Sequence, residues 1–329
     1  MFLQKVPQGK FTNQKMPLMP KFEKISAALL LVFALLVRFP LDYFLFDIVH
    51  SFAIQIVVLY LCVAILSFIW QKKWLLTSSL LSSVLMSTLF IQWFWQSHPD
   101  PKNVKGTAFK VAHFNVWKRN TQHQKVITVA KNTEADIISF EEVNNRWWQA
   151  LKKGLGNTYP HQYVVTRDDN FGIAMFSKFE MQNTQAKYFS DLPSITTTIS
   201  MPFGQLHWVS SHVLPPKSND WYQRRNSDLV KIAVYMKGKK GYKLAVGDYN
   251  VVSWSPVIQR FKKTANLLDS RREFSPSYPA WSWLLGVPID HIFHSPNIQC
   301  LSFGTTETTP SDHWGIVGQY KAILITNYE

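Results

Sequence analysis

The sequence predicts an α/β fold of two packed mixed sheets flanked by helices, preceded by three transmembrane helices. Three observations predict it. Apolar runs of strand length alternate with helix-like stretches through residues 107–329, residues 25–95 are nearly free of charge, and polar side chains recur where the strands end.

The chain has 329 residues, enough for one large or two ordinary domains. It is 47% hydrophobic and 15% aromatic, but these averages hide a sharp division between the N-terminal third and the rest. The formal charge is +14. Residues 107–329 hold 25 Lys and Arg against 17 Asp and Glu, a net +8. A basic domain suits an anionic substrate, though many proteins that bind none are equally basic. The two cysteines, Cys62 and Cys300, lie in different regions, so there is neither a disulfide framework nor a metal-binding cysteine spacing.

Residues 1–24 carry Lys5, Lys10, Lys15, Lys21 and Lys24, with Pro7, Pro17 and Pro20 arguing against a stable helix, and read as a flexible basic tail. Three apolar runs follow within 25–96, at 25–46, 52–70 and 74–95. Each has about the ~20 residues that a membrane-crossing helix needs. A secretory signal fits the first run less well, because two more runs follow and no small-residue cleavage site appears. Buried core helices are the other competing reading; Trp near the ends of the later runs favours spans. Lysine placement sets the tail in the cytoplasm and everything after residue 97 on the periplasmic or extracellular side. A transporter would need more spans, with polar residues inside them.

Residues 97–106, with Pro99, Pro101 and Gly106, form a linker. The domain at 107–329 then opens with the strand-like 109–115, which stops at Asn115. Helix-like sequence at 121–132 leads to a buried strand at 135–140 that ends in Glu141-Glu142. Asp168-Asp169-Asn170-Phe171-Gly172 turns into a strand at 173–176, and further strands are expected at 194–200 and 206–212, the latter ending in His212-Val213-Leu214-Pro215-Pro216. A helix over about 221–237 returns the chain to Lys243-Leu244-Ala245-Val246-Gly247-Asp248-Tyr249-Asn250. Trp254-Ser255-Pro256 opens a short helix, and Ile289-Asp290-His291-Ile292 and Ser311-Asp312-His313 sit near the last strands.

Asp248 and Asn250, two apart at the mouth of a core strand, are placed by alternation on one side, where an acid and an amide can orient a water and a phosphoryl oxygen. Taken alone, Gly-Asp-x-Asn fits an Asx turn equally well. Likewise Glu142 fits a helix cap, His212 a satisfied core histidine, Asp290 a turn residue and Asp312-His313 an ordinary loop. Their joint recurrence at strand ends is much harder to explain by structure alone.

With these motifs, in this order over about 107–322, the chain resembles the endonuclease/exonuclease/phosphatase superfamily. The matches are the Asn-ended first strand, the Glu-Val at Glu142, the His before Pro-Pro, Gly-Asp-Tyr-Asn, Ile-Asp-His-Ile and Ser-Asp-His. With the apolar runs in front, and with Asp-Asn-Phe-Gly and Trp-Ser-Pro, it is similar to a bacterial membrane-anchored branch. The resemblance implies a four-layer α/β sandwich in an integral protein of the bacterial inner (plasma) membrane, with the bilayer as one partner and no protein partner. It implies hydrolysis of a phosphate ester, more often a diester than a monoester, by in-line attack of water. Glu142 would hold Mg²⁺ or Mn²⁺ with Asn115 nearby and Asp312 as a further carboxylate. Asp290 would orient His313, while His212 and Asn250 would donate to phosphoryl oxygens, and either Asp248 or His313 would be the base. Asn170 and Trp254 would touch the substrate, which would be a nucleic acid, a nucleotide or a phospholipid headgroup. The pattern departs from the family at Glu141, where Gln is usual, at Tyr249, and at Trp314-Gly315 after Ser-Asp-His. An inactive binding protein on the same fold is the competing class, and the retention of Asn115, Glu142, His212, Asp248, Asn250, Asp290 and His313 argues against it.

Overall fold

The computed structural model describes residues 19–91, 93 and 99–323. The tail reading over residues 1–18 and the end of the third apolar run lie outside the described residues. The elements are α1 (Met19–Arg38), α2 (Phe44–Ser51), α3 (Ala53–Ile69), α4 (Lys73–Ser87), β1 (Thr107–Asn115), α5 (His123–Asn132), β2 (Ile137–Glu141), α6 (Asn145–Leu155), β3 (His161–Val165) and β4 (Ile173–Ser177). They continue with β5 (Met181–Tyr188), β6 (Pro193–Met201), β7 (Gly204–Ser211), α7 (Asn219–Lys237), β8 (Tyr242–Asp248), α8 (Pro256–Ala265), β9 (Leu268–Asp269), β10 (Asp290–His294), β11 (Ile298–Thr305) and β12 (Ile316–Ala322).

Two six-stranded sheets, ordered β11-β12-β1-β2-β4-β3 and β5-β6-β7-β8-β10-β9, form the body. Each contains one parallel pair, β1 with β2 and β7 with β8, among antiparallel neighbours. The parallel pairs end together, so Asn115, Glu141 and Asp248 emerge at one mouth. Inward residues of both sheets (Val111, Ile137, Ile195, Trp208, Val246, Ile292) make the central core. Outside the first sheet, Phe140 and Phe176 pack against Trp147 and Leu151 of α6; outside the second, Ala245 and Phe293 pack against Leu229, Ile232 and Phe261 of α7 and α8. Full burial of each such large side chain contributes about 1.5–3 kcal/mol.

Local chemistry fixes the helix ends. Asn144 accepts from the Trp147 amide at 3.0 Å to start α6, and Ser218 accepts from the Trp221 amide at 3.2 Å to start α7. Pro256 opens α8, which Asn266 closes in a left-handed conformation at φ 51°.

The three predicted transmembrane helices are not found. Among the described residues, no single helix is long and apolar enough to cross a membrane; α2 and α3 together satisfy length and composition but are bent by 63°. The reasons are local. Helix α1 begins at Met19, inside the expected tail, so its first turns hold Lys21, Glu23 and Lys24, and it ends at Arg38 before Pro40. Helix α3 has 17 residues and α4 has 15, the latter interrupted by hydroxyls. At 1.5 Å per residue they reach about 25 Å and 22 Å, against about 30 Å of hydrocarbon. Ser78, Ser79, Ser82 and Ser83 of α4 are buried against the other helices, while Leu29, Val58, Leu59, Ile65 and Val84 remain exposed. The four helices instead pack onto the α/β body: Ala53, Tyr60 and Phe90 share a cluster with Val252, Trp254, Val287 and Ile289.

One glycine lies directly under the mouth. Gly247 sits at φ 146°, and a Cβ there would meet the Ser211 carbonyl oxygen at 2.2 Å and Glu141 Oε1 at 2.6 Å. Gly247→Ala is expected to destabilise the fold by more than about 1 kcal/mol, read as a lower midpoint in denaturant; a wild-type midpoint would contradict the close approach.

Candidate active site

Asp290 and Asp248 are directly opposed in the register of β10 and β8. Two buried carboxylates in that position repel, and the site is built around the difference in how they are held. Asp290, fully buried, lies between two imidazoles: Oδ1 is 3.2 Å from His113 Nε2 and Oδ2 is 2.9 Å from His313 Nδ1. The Ser277 hydroxyl accepts from the Asp290 amide at 3.1 Å and fixes the start of the strand. Burial works against the Asp290 charge, yet the His313 imidazolium and the hydrogen bonds from both rings hold this carboxyl well below its ordinary range. Burial would likewise lower His313, but the charge and hydrogen bond of Asp290, then Asp248 and Asp312, carry it up to about 10. The two therefore form an ion pair at neutral pH.

Asp248 is the opposite case. Burial, then the Asp290 charge, push it well above the ordinary carboxylate value, against the opposing effects of His313 and the Asn250 amide, which donates to Oδ1 at 2.8 Å. Its Oδ2 has three nitrogens around it, Asn115 Nδ2 at 3.4 Å, His212 Nε2 at 3.5 Å and His313 Nε2 at 3.8 Å. None is a short hydrogen bond. His212 is lowered to about 3 by burial and the His313 charge, so it is a neutral imidazole.

Facing them, the first sheet supplies Asn115 and Glu142. Glu142 has φ 63°, which turns it out of line with β2, and its Oε2 accepts from the Lys118 amide at 3.0 Å. Its Oε1 has only long contacts, with Asn115 Nδ2 at 3.5 Å and Asn170 Nδ2 at 3.4 Å. Burial raises Glu142 and Asp312 above the ordinary range. The Ser311 hydroxyl donates to the Asn115 carbonyl at 2.7 Å and accepts from the His313 amide at 3.1 Å, tying the segment before β12 to the end of β1 at the mouth.

Nine of the ten side chains expected at the site converge here; Asn115, Glu142, Asn170, His212, Asp248, Asn250, Asp290, Asp312 and His313 surround one cleft. Two expectations about their contacts change. Trp254 is not in the cleft: it is 4% exposed, donates from Nε1 to the His50 carbonyl at 2.9 Å and packs edge-on against Phe90. The Asn250 amide donates to the Val213 carbonyl at 2.9 Å, which ties that side chain to the cleft wall.

Sequence reasoning missed His113 as a site residue. Its signal was alternation, because residue 113 shares a strand face with Asn115. Glu141, noted only as an unusual substitution, is fully buried, and its Oε2 accepts from the Asp248 amide at 3.0 Å. Burial and the Asp248 charge push it well above the ordinary range. Tyr278 also escaped notice; its ring centroid lies 4.8 Å from that of His313. It belongs to a loop at 276–287 whose base is held by Ser277, and whose tip exposes Trp281, Trp283, Leu284 and Leu285. Gln55 of α3 grips that loop by donating to the carbonyls of Leu284 at 3.2 Å and Gly286 at 2.9 Å.

The residues present fit a divalent cation. Ligand atoms of Glu141, His212 and Asp248 lie within 4.8 Å of one another; a second such group, Asp248, Asp290 and His313, is held instead by the charged His313 ring, which has no lone pair to give. Glu141 Oε1 and His212 Nδ1 are buried without a hydrogen-bond partner, and the facing oxygens of Glu142 and Asp248 are under-satisfied. A donor set dominated by carboxylate oxygen suits a hard cation.

Linkage then makes stability depend on pH and metal. Glu142, Asp248 and Asp312 bind protons more tightly folded than unfolded, so without metal they lower stability as pH rises above the ordinary carboxylate range. Asp290 has the opposite sign, losing its contribution as pH falls below that range. His313 keeps its contribution below the ordinary histidine value and loses it as pH rises toward about 10. A metal that takes the ionised carboxylates should therefore stabilise more at pH 8 than at pH 5. At a hundred times its dissociation constant the gain is about 2.7 kcal/mol. Calorimetry with Mg²⁺ against EDTA checks this, and a metal increment undiminished in Glu142→Gln would rule out Glu142 as a ligand.

Comparison with known proteins agrees with the geometry. The Endonuclease/Exonuclease/phosphatase family model matches residues 112–313, more than half of the chain. No curated protein matches the sequence. Among solved structures, D. rerio TDP2 complexed with single strand DNA product is similar at a TM-score of 0.56 and 14% identity, over 65% of this chain and 99% of that one. A mannosyl-6-phosphatase from Bacteroides thetaiotaomicron gives 0.55 and 18%, over 64% and 99%. An endonuclease/exonuclease/phosphatase from Beutenbergia cavernae gives 0.54 and 14%, over 66% and 72%. The chain belongs to the endonuclease/exonuclease/phosphatase family and is a metal-dependent phosphoester hydrolase.

Proposed function

We propose that the enzyme hydrolyses a phosphodiester, with Mg²⁺ as its metal and Asp248 as the base. The observation that carries this reading is the asymmetry of the two opposed carboxylates. Asp290 is committed to an ion pair with His313, whereas Asp248 Oδ2 has no short partner and an affinity for protons raised by burial.

In this reading a water attacks phosphorus in line with the leaving oxygen. The new P–O bond forms as the old one breaks, and Asp248 Oδ2 takes the water proton. His313, charged through Asp290, presents its Nε2–H to a phosphoryl oxygen and neutralises charge as it builds. Neutral His212 donates a second hydrogen bond. Asn115 orients both Asp248 and Glu142, and Asn170 steadies Glu142 from the other side. Held by Glu142, with Asp312 nearby, the metal would polarise the phosphoryl group and stabilise the leaving oxygen. The diester preference follows from charge: Glu141, Glu142, Asp248, Asp290 and Asp312 crowd the cleft, and a singly charged diester meets less repulsion there than a doubly charged monoester. A nucleic acid, a nucleotide or a phospholipid headgroup offers such a diester, and the net positive domain favours an anionic one.

The test is hydrolysis of bis-p-nitrophenyl phosphate, p-nitrophenyl phosphate and plasmid DNA by the full chain, with Mg²⁺ or EDTA. Mg²⁺-dependent turnover is expected, faster on the diester. His313→Ala and Asp248→Asn should each lower kcat by about 10²–10³-fold. Faster monoester turnover would reverse the substrate preference, and an Asp248→Asn variant with wild-type kcat would remove Asp248 as the base.

A further inference from the structure

Asn250 has an unusual backbone for a residue with a side chain, at φ 49°. Asparagine adopts this left-handed conformation more readily than most residues, and its neighbours fix it here. Three restraints do so. The Asn250 amide donates to Asp248 Oδ1 at 2.8 Å, its side chain donates to the Val213 carbonyl at 2.9 Å, and its own carbonyl accepts from Arg225 Nη1 at 2.8 Å.

The third restraint originates outside the sheets. Arg225, on α7, is fully buried, and the same Nη1 donates to Asp47 Oδ2 of α2 at 2.9 Å. Its Nε and Nη2 are taken by Asn226 Oδ1 at 3.1 and 2.9 Å. Its guanidinium lies over the Tyr222 ring at 5.0 Å, and the Tyr222 hydroxyl donates to Asp42 Oδ1 at 2.8 Å. Arg225 is thus a desolvated cation whose charge partner comes from the N-terminal helices and whose other acceptor is the backbone of a cleft residue.

We propose that the N-terminal helices are a working part of the active site: Asp47 holds Arg225, Arg225 holds the Asn250 carbonyl, and both are positioning residues for Asn250 and, through the Asn250 amide, for Asp248. The inference rests on the reading of Asp248 and Asn250 as site residues. Removing one partner of a buried pair leaves an uncompensated charge, so single variants mix unfolding with misplacement. Replacing both with apolar side chains of similar size keeps the fold while deleting the donor to Asn250.

The experiment therefore uses the double variant Asp47→Leu/Arg225→Met in the full chain. Its denaturation midpoint is expected near the wild-type value. Its kcat on bis-p-nitrophenyl phosphate should fall by about 10–100-fold, with KM changed less than about threefold because the substrate contacts remain. A second readout needs no turnover: with ¹⁵N-asparagine labelling, the backbone and side-chain amide signals of Asn250 should shift in the double variant while those of Asn132, at the end of α5, hold. A folded double variant with wild-type kcat and unmoved Asn250 signals would overturn the proposal. Absence of turnover in the wild type would instead remove the proposed activity, and the Asn250 signals alone would then decide the positioning.

Discussion

A carboxylate kept ionised with no access to water is the constraint from which the rest of this site follows. Asp290 sits in the core end of a strand, where burial alone would neutralise it. It stays charged because two imidazoles reach it from different elements, His113 from the first sheet and His313 from the segment before β12. That requirement dictates how the sheets approach each other, since His113 and Asp290 lie on opposite sheets. It also sets the two opposed aspartates apart. With Asp290 satisfied and ionised, burial and then the Asp290 charge raise the proton affinity of Asp248. One strand register thus holds two opposed aspartates in opposite electrostatic states.

The sheets were legible in the sequence wherever burial dictated composition. Runs such as 137–141 and 242–248 are apolar on both faces and end in acids, so both the strand and its polar terminus were readable. β5 was not, because Met181–Tyr188 is half exposed and rich in Gln, Asn and Lys, which is edge-strand composition. β3 and β11 were missed for a related reason, β3 being half-buried along its length and β11 partly solvated. At the site, residue types carrying chemistry at strand ends were visible, but contacts made across the sheets were not. Nothing local marks His113 as the second partner of Asp290, 177 residues away in the chain. Trp254 shows the converse: it stands near the cleft motifs in sequence, and its ring is drawn away by an apolar cluster with Phe90 and Trp93.

The N-terminal third misled because apolar content reports burial without naming what does the burying. Its three runs were read as spans from length and hydropathy. Two of the resulting helices are short, the first carries charges in its opening turns, and serines of the last turn inward toward neighbouring helices. Polar residues within and just after the first run have partners in the folded chain: Asp42 meets Tyr222, Asp47 meets Arg225, and Arg38 donates to Thr88. Asp42 and Asp47 thus seat the helices on the body, while Arg38 ties the N-terminal helices to one another.

The loop at 276–287 has a different kind of freedom at its two ends. At the base, Ser277 and Tyr278 are bound into the chemistry through Asp290 and His313, and Gln55 grips the far side through backbone carbonyls alone. A grip on carbonyls is indifferent to the side chains between them. Trp281, Leu284 and Leu285 are exposed between the anchors, while Trp283 packs edge-on against Phe274. The residues that meet the site and the exposed tip are thus separate parts of one loop, each fixed by its own anchor.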